Sequence, residues 1–139
     1  MKKIYIAIAV VSVVILSMAG KSTKSVFAPD RVFVVGDELV VANRAAKQLV
    51  KLSADGMAIQ KKLNLKSAAT DLVQLPDGDL WVACDGNMGW LYRVDVERFA
   101  VQRRVESGAS PSAVEYSAKS GSLWVAQLQP FSGYGSAGN

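Results

Sequence analysis

The sequence offers few residues for catalysis. It contains no histidine and a single cysteine among its 139 residues. The chain therefore has no Ser–His pair and no ordinary general base with a pKa near 7. Zinc and most transition-metal sites lose their commonest ligand for the same reason. The segment "CDGN", which begins at Cys84, is too short for a calcium loop and has no terminal Glu. We therefore expect a binding protein that needs no cofactor and no metal.

Side chains suited to binding occur in three segments of the chain. These are "NRAAK" at 43–47, "CDGNMGW" at 84–90 and "QLQPFSGYGSAGN" at 127–139. Aromatic rings beside polar groups suit a pocket for a small molecule or a peptide. The alternative is that these segments differ through drift alone, because loops vary without selection. The candidate ligand-binding residues are Arg44, Asp85, Asn87, Trp90, Phe131 and Tyr134.

An internal repeat must position these segments. The phrase "GDLWVA" at 78–83 returns as "GSLWVA" at 121–126, and "DELVVA" at 37–42 is a weaker copy. The leucines of the three phrases, Leu39, Leu80 and Leu123, are 41 and 43 residues apart. The similarity extends beyond the phrase, since "SAATDLVQLPDG" aligns with "SPSAVEYSAKSG". A period of about 40 to 45 residues with short apolar runs is typical of a repeat architecture.

Each repeat predicts four short strands. In the second repeat they fall near residues 69–75, 79–84, 90–94 and 99–105, separated by Gly, Asp, Asn and Ser. The turns "PDGD" and "SADG" supply residues that tolerate a positive φ. Four strands per unit at this period indicate an all-β fold, a β-propeller with four-stranded blades.

The repeat also resembles a known propeller family. "LWVAC", "LYRVD", "GASPSAV" and "SAKSG", which begin at Leu80, Leu91, Gly108 and Ser117, resemble the YVTN-type (YncE-like) repeat of exported bacterial and archaeal proteins. The text "PDGDLW" is also similar to NHL-type and streptogramin-lyase-like propellers. The resemblance covers the chain from Arg31 onward and implies a propeller fold.

The repeats divide the chain into about two and a half blades. We place them near residues 31–68, 69–110 and 111–139. Propellers close with about four to eight blades, so the ring is incomplete and the sequence has the character of an N-terminal fragment. Open blade faces and strand edges would favour self-association.

In such a blade, two loop types open on one common face. They are the loop between the second and third strands and the loop that leads to the next blade. The three candidate segments fall in or beside these loops, whereas the other loops are plain turns. Loops on a rigid scaffold often carry function, so we expect the ligand on this face.

Other notable side chains have structural interpretations. Trp81 and Trp124 occupy equivalent positions, so we expect both to pack between repeats. Cys84 ends a predicted strand and is expected to be buried and inert. Asp71 and Glu115 lie on the strands that would line a central channel, and the sequence leaves open whether they face the channel or solvent.

The N-terminus predicts export. Lys2 and Lys3 precede an apolar run at 4–16, and Ser17 and Ala19 are small residues at the −3 and −1 positions of a cleavage site. This pattern is typical of a secretory signal peptide at 1–19, followed by a linker at 20–30. The alternative is an uncleaved membrane anchor, although the run is shorter than the roughly 18 to 20 residues that span a bilayer. We expect a periplasmic, extracellular or cell-surface protein.

The charge distribution argues against nucleic acid as a partner. The formal net charge is +4, and it falls to +2 when the predicted signal peptide, with its two lysines, is removed. Outside that peptide the only basic pairs are Lys61-Lys62 and Arg103-Arg104, and no aromatic residues interleave with the basic residues of either pair. Nucleic acid binding needs a concentrated basic face. We expect these pairs to mark solvated strand ends.

Two functions remain open. The first is an exported, non-catalytic binding or scaffold module for a small molecule or a protein partner. The second is part of a propeller enzyme, similar to a lactonase or a streptogramin lyase, whose catalytic residues lie in further blades. A third, structural surface-layer repeat would have uniform loops, which the divergent segments do not favour.

Overall fold

The computed structural model describes residues 29–56 and 58–128, and within them every regular element is a β-strand. The predicted signal peptide lies outside these residues. The ten strands are β1 (Pro29–Val35), β2 (Glu38–Asn43), β3 (Gln48–Leu52), β4 (Ile59–Asn64), β5 (Ala69–Gln74), β6 (Leu80–Cys84), β7 (Trp90–Asp95), β8 (Ala100–Glu106), β9 (Pro111–Ser117) and β10 (Ser122–Gln127). The first strand begins two residues inside the predicted linker.

The strands form three sheets that follow the predicted repeats. The first sheet has the order β1-β2-β3-β4, the second β5-β6-β7-β8, and the third contains β9 and β10. Each observed strand of the second repeat agrees with the predicted one to within one residue at either end. The chain divides after Ala69 into two compact units, so the first sheet belongs to one unit and the third sheet, with almost all of the second, to the other.

The first and second sheets share one register. Leu39 pairs with Leu52 in the first sheet, and Leu80 pairs with Val94 in the second. The pairing of the third and fourth strands is interrupted after Lys51 in one sheet and after Arg93 in the other. A bulge at the same repeat position marks it as a feature of the blade rather than a local irregularity.

The core of the first unit comes from alternate residues of its central strands. Leu39, Val41, Val50 and Leu52 form a buried cluster, against which Ile59 packs. Side chains two apart on a strand point to the same face, so β2 and β3 place these residues together. Fully burying each such side chain contributes roughly 1.5–3 kcal/mol.

The core of the second unit joins its two sheets. Ala83 and Leu91 of the second sheet form a buried cluster with Val114 of the third. The half-buried side chains packed against this cluster come from both sheets and are Val73, Trp81, Leu123 and Val125. The third sheet is therefore held against the second by side-chain packing between the two sheets.

The outer strands are exposed and basic. Most of β4 and β8 is open to solvent. The pairs Lys61-Lys62 and Arg103-Arg104 lie within these strands rather than at their ends as predicted, although they are solvated. Charged residues on an edge strand oppose pairing with another chain, so both four-stranded sheets have protected outer edges.

Candidate functional site

The predicted loop face is built from hydrogen-bonded segments of the second unit. The loop between β6 and β7 and the loop between β8 and β9 contact each other through their backbones. Ser107 N donates to Gly89 O at 3.1 Å, and Ser110 N donates to Gly86 O at 3.1 Å. Gly89 is essential to this approach, because it has a positive φ and a Cβ there would overlap the carbonyl oxygen of Gly108.

The end of β10 joins the same face. Leu128 N donates to Ser110 O at 3.1 Å, and the side-chain amide of Gln127 donates to Ser107 O. Three chain segments, residues 85–89, 107–110 and 127–128, are thereby tied together. We call them the loop platform.

Asp85 and Asn87 lie on one loop of this platform. The half-buried Asp85 accepts a hydrogen bond from Gly86 N at 2.8 Å, which shapes the turn, and Asn87 is exposed beside it. The neighbouring Met88 is 57% exposed. The loop therefore presents polar groups and one flexible apolar side chain from a fixed backbone.

Trp90 follows this loop but is partly covered. It begins β7 and is half-buried, and the guanidinium of Arg104 lies over its ring, 4.3 Å from the centroid. A cation over an indole face is attracted to it and contributes about 0.5–1 kcal/mol at an exposed site. A ligand that stacked on this face of Trp90 would have to displace Arg104.

The other three predicted residues are not among the segments of the second unit that form the loop platform. Arg44 is exposed in a turn of the first unit, where its carbonyl accepts a hydrogen bond from Lys47 N at 3.1 Å. Phe131 and Tyr134 lie outside the described residues. The binding role of all six residues stays a prediction.

Cys84 is buried, as the sequence predicts. Its side chain has no exposed surface, and this burial raises the pKa of the thiol to about 12. A thiol with so high a pKa carries almost no thiolate at neutral pH, and the thiolate is the reactive form. Cys84 therefore takes no part in chemistry at the site.

Asp71 links two sheets. Its carboxylate accepts a hydrogen bond from Val114 N at 3.0 Å, which joins β5 to β9. The neighbouring Thr70 hydroxyl donates to Pro111 O at 2.7 Å. Glu115, in contrast, is exposed on β9. These contacts answer the question that the sequence left open for Asp71, because its carboxylate supports the fold.

The two equivalent tryptophans have different surroundings. Trp81 is half-buried against the core cluster of the second unit, as expected of a residue that packs between repeats. Trp124 is 65% exposed, which differs from the expectation of packing. The third sheet contains only β9 and β10 among the described residues, and no described element covers the outer face of Trp124.

The face with the plain turns carries a cleft that the sequence did not predict. It has a volume of about 370 Å³ and is lined by Leu75, Pro76, Asp77, Trp81, Arg93, Tyr116, Gly121 and Leu123. We call it the turn-face cleft. All of these residues belong to the second unit, and the cleft lies between the second and third sheets.

Arg93 is fixed in the wall of this cleft by two carboxylates. Its Nε donates to Asp79 at 3.0 Å, and its Nη2 donates to Asp77 at 2.5 Å. The hydrogen bond with Asp79, followed by the charges of both aspartates, raises the pKa of Arg93 above its ordinary value. Because the side chain is one-third exposed, solvent screens these ion pairs, and their main effect is to orient the guanidinium.

The repeat shows which part of this arrangement belongs to the fold. In the first sheet Lys51 forms an ion pair with Glu38 at 2.5 Å, and its side chain is only 7% exposed. Lys51 and Glu38 align with Arg93 and Asp79, so both sheets keep an ion pair at one position. The aligned opposite charges were the signal in the sequence that could have revealed this pair.

Within the described residues no group of three or more potential ligands is arranged to hold a metal ion. No helix long and apolar enough to cross a membrane occurs in that part of the chain.

Comparison with known proteins shows the fold. No protein-family model matches the chain, and no curated protein matches it. Among solved structures the chain is similar to hydrazine synthase from Kuenenia stuttgartiensis, with a TM-score of 0.66 and 19% identity over 78% of this chain and 32% of that one. It is also similar to the β-propeller domain of Cps50 (Swd1) from Myceliophteria thermophila, with a TM-score of 0.56 and 22% identity over 69% of this chain and 31% of that one.

These similarities confirm an all-β propeller fold with four-stranded blades. The chain spans about a third of the length of either structure. Its ten described strands fill two blades and half of a third, fewer than the four blades that the smallest closed rings need.

Proposed function

We propose that this chain is part of an exported, YVTN-type propeller and acts as a non-catalytic binding module whose ligand sits on the loop platform. The observation that carries the proposal is the hydrogen-bonded convergence of three segments around an exposed polar loop. Backbone bonds among residues 86, 89, 107, 110 and 128 hold the platform. Binding to a preorganised surface loses less conformational entropy than binding to a mobile loop.

The side chains on the platform favour a small molecule or a peptide with polar groups. Asp85 offers carboxylate oxygens, and Asn87 offers both a carbonyl acceptor and two N–H donors. Met88 adds an adaptable apolar contact. The enzymatic alternative places its catalytic residues in further blades, whereas the platform itself favours binding.

The test is a fragment screen that reports where each compound binds. The ¹⁵N-labelled chain is titrated with a library of small polar compounds, and the shifts of its amide signals are followed by NMR. We expect saturable shifts at residues 85–90 and 107–110. Asn87→Ala should weaken binding about tenfold, which corresponds to about 1.4 kcal/mol. Ser120→Ala, in a turn on the other face, should leave binding unchanged.

The opposite pattern would overturn the proposal. If the shifts cluster at Trp81 and Tyr116 and Asn87→Ala has no effect, the ligand site is the turn-face cleft. If no compound produces saturable shifts anywhere in residues 29–128, the platform is not a small-molecule site.

A further inference from the structure

One basic side chain beside the loop platform is held against an aromatic ring. The guanidinium of Arg104 lies over the ring of Trp90, 4.3 Å from its centroid. Trp90 directly follows Gly89, whose carbonyl accepts the hydrogen bond from Ser107 N that joins two loops of the platform. The ring extends from β7, a strand paired on both sides within its sheet. A fixed ring therefore positions the guanidinium next to the platform.

Trp90 and Arg104 lie on the face of the second sheet that points away from the third. Leu91, the residue after Trp90, forms a buried cluster with Val114 of the third sheet, and successive side chains of a strand point to opposite faces. Arg104 pairs with Tyr92, which lies two residues after Trp90 and shares its face. The third sheet, and any strand that extended it, is therefore on the other side and does not cover Arg104.

Arg104 has no acidic partner among the described residues. All twelve Asp and Glu residues of the sequence lie in that part of the chain, and none of them forms an ion pair with Arg104, whose charged group contacts the Trp90 ring instead. A guanidinium has five N–H donors, and the ring supplies no acceptor oxygen for them. The side chain is exposed, so its N–H groups can donate to a ligand.

The repeat shows that the ring is the specific part of this pair. Lys62 aligns with Arg104, so both sheets have a basic residue at this position of their outer strand. Gln48 aligns with Trp90, and its side-chain amide donates to Asn64 at 2.7 Å. The first sheet therefore has no aromatic side chain at this position, and the stacked guanidinium belongs to the second sheet, which carries the platform loops.

The charge around Arg104 favours a ligand with a single negative charge. Glu106 lies two residues further along the strand and therefore on the same face, although it forms no ion pair with Arg104. A second negative charge on the ligand would be repelled by Glu106 and would find only one guanidinium. The two oxygens of a carboxylate, in contrast, match the planar fork of one arginine.

We propose that the ligand of the loop platform carries a carboxylate, which the guanidinium of Arg104 binds while it rests on the ring of Trp90. This inference rests on the binding function proposed above and names the chemistry of the ligand. Two N–H groups of the fork donate to the two carboxylate oxygens, and the rest of the ligand lies along the loop at 85–89. Because the ring already holds the guanidinium, binding restricts fewer side-chain rotamers.

The experiment compares carboxylates with their neutral amides. The whole ¹⁵N-labelled chain is titrated with benzoate and with benzamide at low ionic strength, where an exposed charge is screened least. We expect saturable NMR shifts at the Trp90 indole N–H and at residues 85–89, and an affinity at least about fivefold higher for benzoate. N-acetylglycylglycine and its amide repeat the comparison. The acid with the higher affinity shows whether an aromatic acid or a peptide C-terminus is the better source of the carboxylate.

Four variants separate the guanidinium fork from the net charge. Arg104→Gln should weaken benzoate binding about tenfold, and Arg104→Lys, which keeps the charge without the fork, about threefold. Glu106→Gln should strengthen binding about twofold, because a neighbouring negative charge is lost. Arg103→Gln is the matched control, since Arg103 is the next residue on the strand but points to the other face, and it should leave binding unchanged. All three positions are exposed, so the variants should fold.

Three results would overturn the inference. They are equal binding of acid and amide in both pairs, equal losses from Arg104→Gln and Arg103→Gln, or tighter binding of inorganic phosphate than of benzoate. If the neutral amides still shift residues 85–89 and 107–110, the platform remains a binding site and only its carboxylate chemistry is wrong. If neither these compounds nor the fragment library produce saturable shifts, the platform function itself is wrong.

Discussion

Comparing the ion pairs at equivalent positions of two repeats distinguishes residues that support the blade from candidate ligand-binding residues. Lys51 with Glu38, and Arg93 with Asp79, occupy one position in two sheets. A contact kept in both copies serves the blade. Asp77, the second partner of Arg93, aligns with Gly36 in the first repeat and has no counterpart there. At the scale of single residues, Asp77 is thus a specific feature of the turn-face cleft.

The buried thiol makes stability depend on pH. The pKa of Cys84 is about 12 in the folded chain, against an ordinary value of 9.0. As pH rises, the unfolded chain loses the thiol proton at a lower pH than the folded chain does. The contribution of the buried thiol to the free energy of unfolding is therefore complete below pH 9 and is lost as pH rises toward 12. We expect the free energy of unfolding to fall by about 1.4 kcal/mol per pH unit in this window. Urea unfolding followed by tryptophan fluorescence measures it.

The control for this prediction is Cys84→Ala. Other groups also titrate above pH 9, and the alanine variant retains them while lacking the thiol. The free energy of unfolding is plotted against pH for both proteins, and the difference between the two slopes above pH 9 is the contribution of Cys84. Equal slopes would contradict the assigned pKa.

At the scale of elements, the contact between two loops defines the platform. Gly89 has a φ of 39°, and a Cβ at this position would lie 2.5 Å from Cδ of Pro111. A side chain there must push the β6–β7 loop away from the β8–β9 loop. The platform therefore depends on Gly89. The sequence of the loop, which also contains Gly86, does not show which of the two glycines has this role.

Gly89→Ala should destabilise the second unit by about 3 kcal/mol, because left-handed backbone costs about 1–2 kcal/mol and overpacking about 1–3 kcal/mol. Gly121→Ala is the matched control. Gly121 also has a positive φ, but a Cβ there meets nothing within 4 Å, so the loss should be about 1 kcal/mol. All three tryptophans lie in the second unit, and their fluorescence during urea unfolding reports it. Equal losses in the two variants would show that the loops do not meet at Gly89.

At the scale of the whole molecule, the chain is a piece of propeller architecture. Two sheets have four strands and the third has two among the described residues. Proteins of similar fold are about three times longer than the matched region.

The whole chain is predicted to be exported. In a bacterial host with a general secretion pathway, we expect cleavage after Ala19 and a mature chain that begins at Gly20. Intact-mass spectrometry of the periplasmic fraction or the culture fluid measures it. Ala19→Lys should block cleavage, because the −1 position requires a small residue, whereas Ser22→Lys should not. A full-length chain recovered from the membrane fraction would instead support the anchor.

The strands and their grouping into sheets could be predicted from the sequence. The repeated Leu-Trp-Val-Ala phrase and the alternation of apolar residues predicted the second-repeat strands to within one residue. This succeeds because the side-chain period of a strand and the turn residues between strands are local properties. The burial of Cys84 followed from the same pattern.

The contacts between side chains of different strands could not be predicted in this way. The covering of Trp90 by Arg104, the bond from Val114 N to Asp71 and the turn-face cleft between two sheets all depend on how strands distant in sequence are placed. Contacts between residues 14 to 43 positions apart have no signature in local periodicity. The fold could therefore be predicted from the repeat, whereas the candidate binding surfaces depend on how one sheet packs on the next.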